Sequence, residues 1–275
     1  MVVEPRLSLF PYQPPHTLKM IPRTLKFSFS NHRGQKLAGF LDLPAGEPLL
    51  YGIFAPCFTC TKESHAAHKV CRALAGCGIA MLRFDMTGLG ESEGRFADTN
   101  FSTRILDIIA AGGALADRYQ PPKLLIGHSI SGTAALAAAS HIPSLQVLAT
   151  LGAPSDPSHV VTGLRRQNLI TIKGDLAEMV IAGRRITVKK QMVEDMEAHT
   201  MDEAMATLNR KLFIFHAPHD EIVPSHHAQT IYDRANCDKE LVPLSESATH
   251  LLEQGNEDAN FIAETLRGWF DLHLK

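Results

Sequence analysis

The chain has 275 residues, of which 45% are hydrophobic and 20% are charged, so it can bury a substantial core and is not a disordered polymer. Its formal net charge of -2 gives no electrostatic basis for binding nucleic acid or an acidic membrane surface. We therefore expect a small-molecule ligand and no nucleic acid. No apolar run reaches the roughly 18 residues that a membrane span needs, so none is predicted.

The N-terminal segment, residues 1–21, lacks the basic stretch and apolar core of an export signal, and its prolines predict an extended arm. The five cysteines are an odd number, and their spacing is not typical of a disulfide framework in a chain of this size. A reducing compartment is then the default. These features together predict a cytoplasmic protein.

Hydrophobic periodicity predicts one α/β domain over residues 22–275. Alternating runs at 24–30 and 36–43 predict a β-hairpin. Beyond it, short apolar runs alternate with helical patterns. The later strands are predicted at 49–55, 79–84, 123–126, 146–151, 211–215 and 240–244, and the helices at 64–76, 101–119, 131–141, 225–235 and 260–272. This alternation predicts a mostly parallel central sheet flanked by helices on both faces.

Residues 154–209 interrupt the alternation and are predicted to form a small cap insertion. Within it, 178–189 is predicted to be a hairpin that turns at Ala182-Gly183, and 191–208 a helix.

A serine lies at a predicted strand-turn-helix junction, in Gly127-His128-Ser129-Ile130-Ser131-Gly132. This arrangement lifts a serine hydroxyl out of the sheet edge, where it can be activated as a nucleophile. Gly127 supplies backbone freedom. Ser131 stands where the usual pattern has a second glycine, which comes one position later. The alternative role for Ser129 is to cap the helix.

An activated serine needs a base and an orienting acid, which in sheets of this type follow it in the order acid, histidine. His250 lies just beyond a predicted strand. Asp220 follows another strand at its carboxyl end, where parallel sheets place their sites. Asp156 is the second candidate for the acid and Glu221 the third, and Asp220 could instead cap a helix.

Several motifs together resemble the α/β-hydrolase superfamily across nearly the whole chain. The segment 83–92 resembles its Asp-x-x-Gly-x-Gly-x-Ser turn after the fourth strand, and 220–224 resembles its acid loop. The segments 57–60 and 96–101 resemble a bacterial subgroup often fused to a domain like the osmotically inducible hydroperoxidases. That second domain is not expected here, because the sequence ends at Lys275.

The resemblance implies an α/β-hydrolase fold and a serine hydrolase that cleaves a carboxylic ester through an acyl-enzyme. Ser129 would be the nucleophile, His250 the base and Asp220 the acid. The backbone N–H groups of Phe58 and Ile130 would form the oxyanion hole, which stabilises the charge on the carbonyl oxygen. No metal or organic cofactor is expected.

Three alternatives remain open. The same triad could serve an acyltransferase or an amidase, and the scaffold could belong to a noncatalytic binding protein. Cys57 and Cys60, followed by His65 and His68, could form a zinc site or a redox pair, although structural zinc sites space their ligands more widely.

The predicted cap insertion contains five of the nine methionines. Met192 and Met196, at helical spacing, either pack in the core or line an acyl pocket, and they are the leading candidates for that lining. Because a small cap offers little volume, we expect short or medium acyl chains.

Overall fold

The computed structural model describes residues 22–181 and 183–274, so the predicted N-terminal arm lies outside the described residues. The described residues contain eleven strands. In chain order these are β1 (Arg23–Ser30), β2 (Lys36–Leu43), β3 (Leu50–Ala55), β4 (Ile79–Phe84), β5 (Leu124–His128), β6 (Val147–Leu151), β7 (Ile170–Lys173), β8 (Leu176–Ile181), β9 (Arg184–Lys189), β10 (Lys211–His216) and β11 (Lys239–Pro243).

Eight of these strands form the central sheet, in the order β1-β2-β4-β3-β5-β6-β10-β11. The pairings of β2 with β1 and with β4 are antiparallel, and those among the other strands are parallel. Every residue of β3, β4, β5, β6 and β10 is buried. Burial on both faces explains why these strands read as continuous apolar runs, and it confirms the predicted sheet.

The described residues also contain eight α-helices. They are α1 (His65–Gly76), α2 (Phe101–Arg118), α3 (Ile130–Ala138), α4 (Pro157–Arg166), α5 (Lys190–Ala198), α6 (Asp202–Ala206), α7 (His226–Arg234) and α8 (Glu257–His273). One buried cluster joins α1 and α8 to one face of the sheet, and the other joins α2, α3 and α7 to the opposite face. Among the described residues, no helix combines the length and apolar character that crossing a membrane requires.

Helix α2 shows how the sequence sets a helix start. The Asn100 side chain accepts a hydrogen bond of 2.8 Å from the backbone N–H of Thr103, and the Thr103 hydroxyl faces the backbone N–H of Asn100. This capping box satisfies donors that the first helical turn leaves without partners.

The segment between β6 and β10 carries α4, a three-stranded antiparallel sheet β7-β8-β9, and then α5 and α6. The register pairs Ile181 with Arg184, and Gly183 has φ 74° just before that pair, as the predicted hairpin requires; Ala182 lies outside the described residues. The prediction of one helix over 191–208 is wrong. The backbone becomes extended at His199, and α6 starts afresh with Asp202 and Glu203 in its first turn. Helix α4 and β7 were not anticipated.

The site lies at the carboxyl ends of β5, β6 and β10, which are neighbours in the sheet. Ser129 directly follows β5, and its backbone N–H donates to the carbonyl of Leu151 at the end of β6, at 2.8 Å. Gly152 then donates to the carbonyl of Phe215 in β10, at 2.9 Å. The parallel register therefore brings together three chain segments that are far apart in sequence.

Candidate active site

Ser129 occupies the turn between β5 and α3 with φ 57° and ψ -133°, a conformation that residues with a side chain rarely adopt. It stands at the N-cap position of α3, but its side chain makes no capping hydrogen bond. Ser129 also lines a cavity. The capping alternative therefore fails, and the turn presents the hydroxyl as a nucleophile elbow does.

The two glycines of this turn allow α3 to pack against β5. A Cβ built on Gly127 would lie 2.3 Å from the carbonyl oxygen of Ser131, and one on Gly132 would lie 2.5 Å from the Cβ of Ala153. Gly132 thus provides the close approach, and position 131 can carry a side chain. Ser131 uses its hydroxyl, which donates to the carbonyl oxygen of Pro56.

His250 and Asp220 form a close pair beside the turn. Nδ1 of His250 lies 2.7 Å from Oδ2 of Asp220, and Oδ1 of Asp220 accepts the backbone N–H groups of Ile222 and Val223 at 2.9 and 2.8 Å. Burial raises the pKa of Asp220, but the hydrogen bonds and the charge of His250 outweigh it and lower that pKa below the ordinary value. Asp220 is therefore held as a carboxylate facing the imidazole.

The glycine that follows β6 lies against this pair. A Cβ on Gly152 would lie 3.2 Å from both Oδ2 of Asp220 and Nδ1 of His250. Since Gly152 also has φ +56°, a side chain there would be strained and would crowd the pair.

The other two candidate acids have different positions. Asp156 caps α4, and its Oδ1 accepts from the backbone N–H of Ser158 at 2.9 Å. Glu221 is exposed and lines the cavity. The structure therefore brings Asp220 to His250 and gives Asp156 a helix-capping role.

Phe58 and Ile130, the predicted oxyanion residues, both line the cavity with Ser129. Phe58 lies inside a four-residue ring closed by a disulfide between Cys57 and Cys60, and Cys71, Cys77 and Cys237 are free. The sequence predicts no disulfide framework, and the structure forms one local bond, because the turn after β3 brings the two Cα atoms to 5.0 Å. Such a bond fits the redox-pair alternative.

The disulfide also argues against a zinc site, because the thiolate is the form that binds metals. In the described part of the chain, no group of three or more His, Cys, Asp or Glu side chains is arranged to hold a metal ion.

A buried arginine holds the Phe58 segment in place. Arg104 of α2 is 5% exposed, and its Nη2 donates to the carbonyl of Phe58 at 2.7 Å. Its Nη1 lies 2.8 Å from Oγ of Ser131 and 3.3 Å from the carbonyls of Pro56 and Cys57. Burial lowers the pKa of Arg104 to about 10, so the group stays charged at neutral pH. None of the described carboxylates forms an ion pair with it.

The far end of this segment is fixed by a buried ion pair. Both the backbone N–H and Nζ of Lys62 donate to the carboxylate of Asp85, at 2.7 and 2.8 Å, and both residues are buried. Asp85 opens the Asp-x-x-Gly-x-Gly-x-Ser turn. Its motif therefore anchors the loop that carries the predicted oxyanion donor.

His128 contacts the backbone of the loop that carries His250. Its Nε2 lies 2.8 Å from the carbonyl oxygen of His250, and its ring is fully buried. Burial, followed by the nearby charge of His250, lowers the pKa of His128 to about 3, so the ring is neutral and Nε2 donates. The residue before Ser129 thus fixes the backbone of the candidate base.

Sequence reasoning assigned no role to Arg104 or His128. A signal existed for Arg104: it falls on the apolar face of α2 between Phe101 and Ile108, where an unpaired charge is unusual. For His128 the only signal was its place beside the serine.

The cavity beside Ser129 has a volume of about 370 Å³. Its apolar wall is built from the loop after Asp220 and from the inserted segment. These apolar residues are Val160, Leu164, Leu169, Val180, Ile181, Ile222, Val223 and Pro224. His159, His226 and His227 add a group of imidazoles.

Met192 and Met196 do not line this cavity. They are 2% and 1% exposed, and both belong to the core cluster under α5. The packing alternative is therefore the correct one, and the expectation that they line a pocket is wrong. The apolar face of α5 points to the body of the protein, whereas α4 and β8 form the wall.

Comparisons with known proteins agree with this architecture. The family described as "Serine aminopeptidase, S33" matches residues 60–180. The esterase domain of a Rhodothermus marinus protein is 39% identical, with a TM-score of 0.73 over 90% of this chain and 98% of that one. The mouse "Alpha/beta hydrolase domain-containing protein 10" has a TM-score of 0.72 at 18% identity, again over 90% of this chain and 98% of that one.

A curated relative carries a more specific name. The rat "Palmitoyl-protein thioesterase ABHD10, mitochondrial" is 25% identical over 200 residues, which is 70% of this chain. The match spans 65% of the rat protein's length. The chain belongs to the α/β-hydrolase superfamily, in which its sheet, serine turn and flanking helices place it.

Proposed function

We propose that the protein is a serine hydrolase that cleaves a carboxylic ester, with Ser129 as nucleophile, His250 as base and Asp220 as the orienting acid. The observation that carries the proposal is the His250–Asp220 contact of 2.7 Å, next to the serine turn: Nε2 of His128, the residue before Ser129, lies 2.8 Å from the carbonyl oxygen of His250. Ser129 itself has φ 57°. A serine, an acid and a histidine in this order along the chain are typical of the fold's nucleophile, orienting acid and base, which together catalyse acyl transfer.

The first half of the reaction would form an acyl-enzyme. Oγ of Ser129 attacks the ester carbonyl carbon while Nε2 of His250 takes the hydroxyl proton. Asp220 stabilises the imidazolium through Nδ1, and the N–H groups of Phe58 and Ile130 stabilise the oxyanion. When the tetrahedral intermediate collapses, the alcohol leaves with the proton from His250.

The second half would release the acid. His250 takes a proton from water, whose oxygen attacks the acyl carbon, and the proton then returns to Ser129. An acceptor alcohol in place of water would give acyl transfer, and an amide substrate would give amidase activity. These alternatives use the same residues and are separated by the products formed.

Short or medium acyl chains are the proposed substrates, because a cavity of about 370 Å³ lies at the small end of the usual range for ligand pockets. A thioester is the second candidate substrate. It is favoured by the similarity to proteins named thioesterases, which is 25% identity for the rat protein.

A cytoplasmic location stays a prediction. The Cys57–Cys60 disulfide and the mitochondrial name of the rat relative count against it. Fractionation of the source cells decides between the compartments.

Covalent labelling tests the proposed nucleophile. A fluorophosphonate should attach to Ser129, as located by mass spectrometry, and Ser129→Ala should lose both the label and ester turnover. Aryl esters and matched thioesters of two to sixteen carbons then rank the substrates. Labelling at another serine, or unchanged turnover in Ser129→Ala, would refute the assignment. A protein that binds these esters without turning them over would be a noncatalytic binding protein.

A further inference from the structure

One histidine of the cavity wall has its tautomer fixed by the backbone. His227 at the start of α7 lines the cavity and is only 7% exposed. Its Nδ1 lies 3.3 Å from the backbone nitrogen of Ser155 and 3.1 Å from the Ser155 hydroxyl oxygen. Because a backbone N–H can only donate, Nδ1 must accept, and the proton of the neutral ring is on Nε2.

The ring is also kept neutral. Burial lowers the pKa of His227 to about 4, and the neighbouring imidazoles of His226 and His159 oppose a positive charge there. Their ring centres lie 4.3 and 5.0 Å from that of His227. At neutral pH, His227 is therefore an uncharged hydrogen-bond donor.

The remaining donor of the ring is Nε2–H. Among the described residues, Nε2 of His227 has no hydrogen-bond partner, and it is not one of the fully enclosed polar atoms that lack a partner. Nε2 therefore keeps some accessible surface, and the cavity that His227 lines also has Leu164, Val180 and Val223 in its wall. A donor that an apolar ligand covers would lose its hydrogen bond to water and gain none in exchange.

We propose that Nε2–H of His227 binds an oxygen atom of the substrate, so that the preferred esters carry an ether, carbonyl or hydroxyl oxygen in the group that fills the cavity. The inference rests on the proposed esterase function and names its substrate class. An unsubstituted alkyl group would leave the donor unpaired, whereas an oxygen at the right distance pairs it.

Two series of esters test this recognition. In each, a single CH₂ is replaced by an ether oxygen at successive positions, along the acyl chain in one series and along the alcohol in the other. The readout is the kcat/KM of each oxygen ester divided by that of its hydrocarbon parent, measured with the same protein. We expect one position to be preferred by about threefold to tenfold, the range of one neutral hydrogen bond.

The variants assign that preference to one residue. His227→Phe should bring the ratio to about one, whereas His227→Asn, which offers both an acceptor for Ser155 and a donor, should keep part of it. His226→Phe changes the adjacent cavity histidine and should keep the ratio of the wild type. A flat ratio across both series, or a preference that persists in His227→Phe, would overturn the inference. Ester turnover that depends on Ser129 would still support the proposed function in that case.

Nitrogen-15 NMR provides a measurement that does not require the His227 variants to fold. In the wild-type protein, the His227 ring should show a protonated Nε2 and an unprotonated Nδ1 at pH 7. The Nε2 proton should shift when the preferred ester is added to Ser129→Ala protein. A proton on Nδ1, or an Nε2 signal that the ester leaves unmoved, would reject the proposed contact.

Discussion

Arg104 donates a hydrogen bond of 2.7 Å from Nη2 to the carbonyl oxygen of Phe58, whose own N–H is the proposed oxyanion donor. The carbonyl of a residue and its N–H belong to two adjoining peptide planes. Fixing the carbonyl therefore limits how far the N–H can rotate. Arg104 binds the two preceding carbonyls and Ser131 as well, so one side chain ties the loop to the elbow helix.

Replacing Arg104 with lysine should lower kcat about tenfold to a hundredfold and leave KM nearly unchanged, because a single ammonium cannot bind four acceptors and the oxyanion forms only in the transition state. Steady-state kinetics on a short aryl ester, with thermal unfolding beside it, measures this. Arg118→Lys is the matched control, since Arg118 lies on the same helix and donates to the carbonyl of Ser28. A folded Arg104→Lys protein with unchanged kcat would contradict the role.

Changing Asp220 to asparagine should lower kcat by about 10³–10⁴, because the amide cannot hold the imidazole in the required tautomer or stabilise its charge. Asp156→Asn is the matched change, and it should be mild because asparagine caps a helix about as well as aspartate. Kinetics on one ester compares the two variants. The reverse order of effects would make Asp156 the acid.

The stability of the fold should depend on pH through its buried histidines. The pKa of His128 is about 3 and that of His227 about 4, both lowered chiefly by burial. In the unfolded chain the pKa of a histidine is about 6.5, so between that pH and the lower pKa values of the folded state the unfolded chain binds more protons. The free energy of unfolding therefore falls as the pH falls through this range. His128 alone accounts for on the order of 2 kcal/mol between pH 7 and 5.

Urea unfolding at several pH values measures this dependence. His128→Asn should flatten the slope of unfolding free energy against pH, whatever its absolute stability. His141→Asn, the same substitution at an exposed position, is the matched control. A slope equal to that of the wild type in His128→Asn would show that another group takes up the proton.

The strands and helices were predictable because their buried positions carry apolar residues at regular spacing along the sequence. The runs of β3 and β4 and the helical spacing of α2 were sufficient for their placement. The break at His199 was not predictable, since the residues around it keep a helical pattern of apolar positions. Strand β7 was missed because it has only four residues, of which three are exposed and the fourth is intermediate.

The site could be predicted only where the order of residues carries information. Strand ends pointed to Ser129, Asp220 and His250. Arg104 and His128 act on backbone carbonyls 46 and 122 residues away, and no sequence spacing reports such contacts. The sequence left Cys57 and Cys60 open as a zinc site or a redox pair, because an odd number of cysteines does not show whether one local pair is bonded.

Reducing the Cys57–Cys60 disulfide should lower kcat a few-fold and leave measurable esterase activity. The ring around Phe58 then gains freedom, while the bonds from Arg104 and the Lys62–Asp85 pair still hold the loop. The double variant Cys57→Ser, Cys60→Ser should match the reduced protein and no longer respond to dithiothreitol. Thiol titration of the unfolded protein should find three free cysteines before reduction and five after it, since Cys71 is buried in the native state. A response to dithiothreitol in the double variant would assign the effect to another cysteine.

Two tryptophan substitutions should separate the cavity wall from the core. Val180 lines the cavity, so Val180→Trp should shorten the accepted acyl chain and spare acetate esters, because the new ring occupies the space of the distal methylenes. Met196 is 1% exposed in the core, so Met196→Trp should overpack it, lower the stability by about 1–3 kcal/mol and reduce turnover on every chain length alike. Specificity constants for acetate, butyrate, hexanoate and octanoate esters, with unfolding midpoints, measure both effects. If Met196→Trp shortened the accepted acyl chain without lowering stability, Met196 would be assigned to the lining of the acyl pocket.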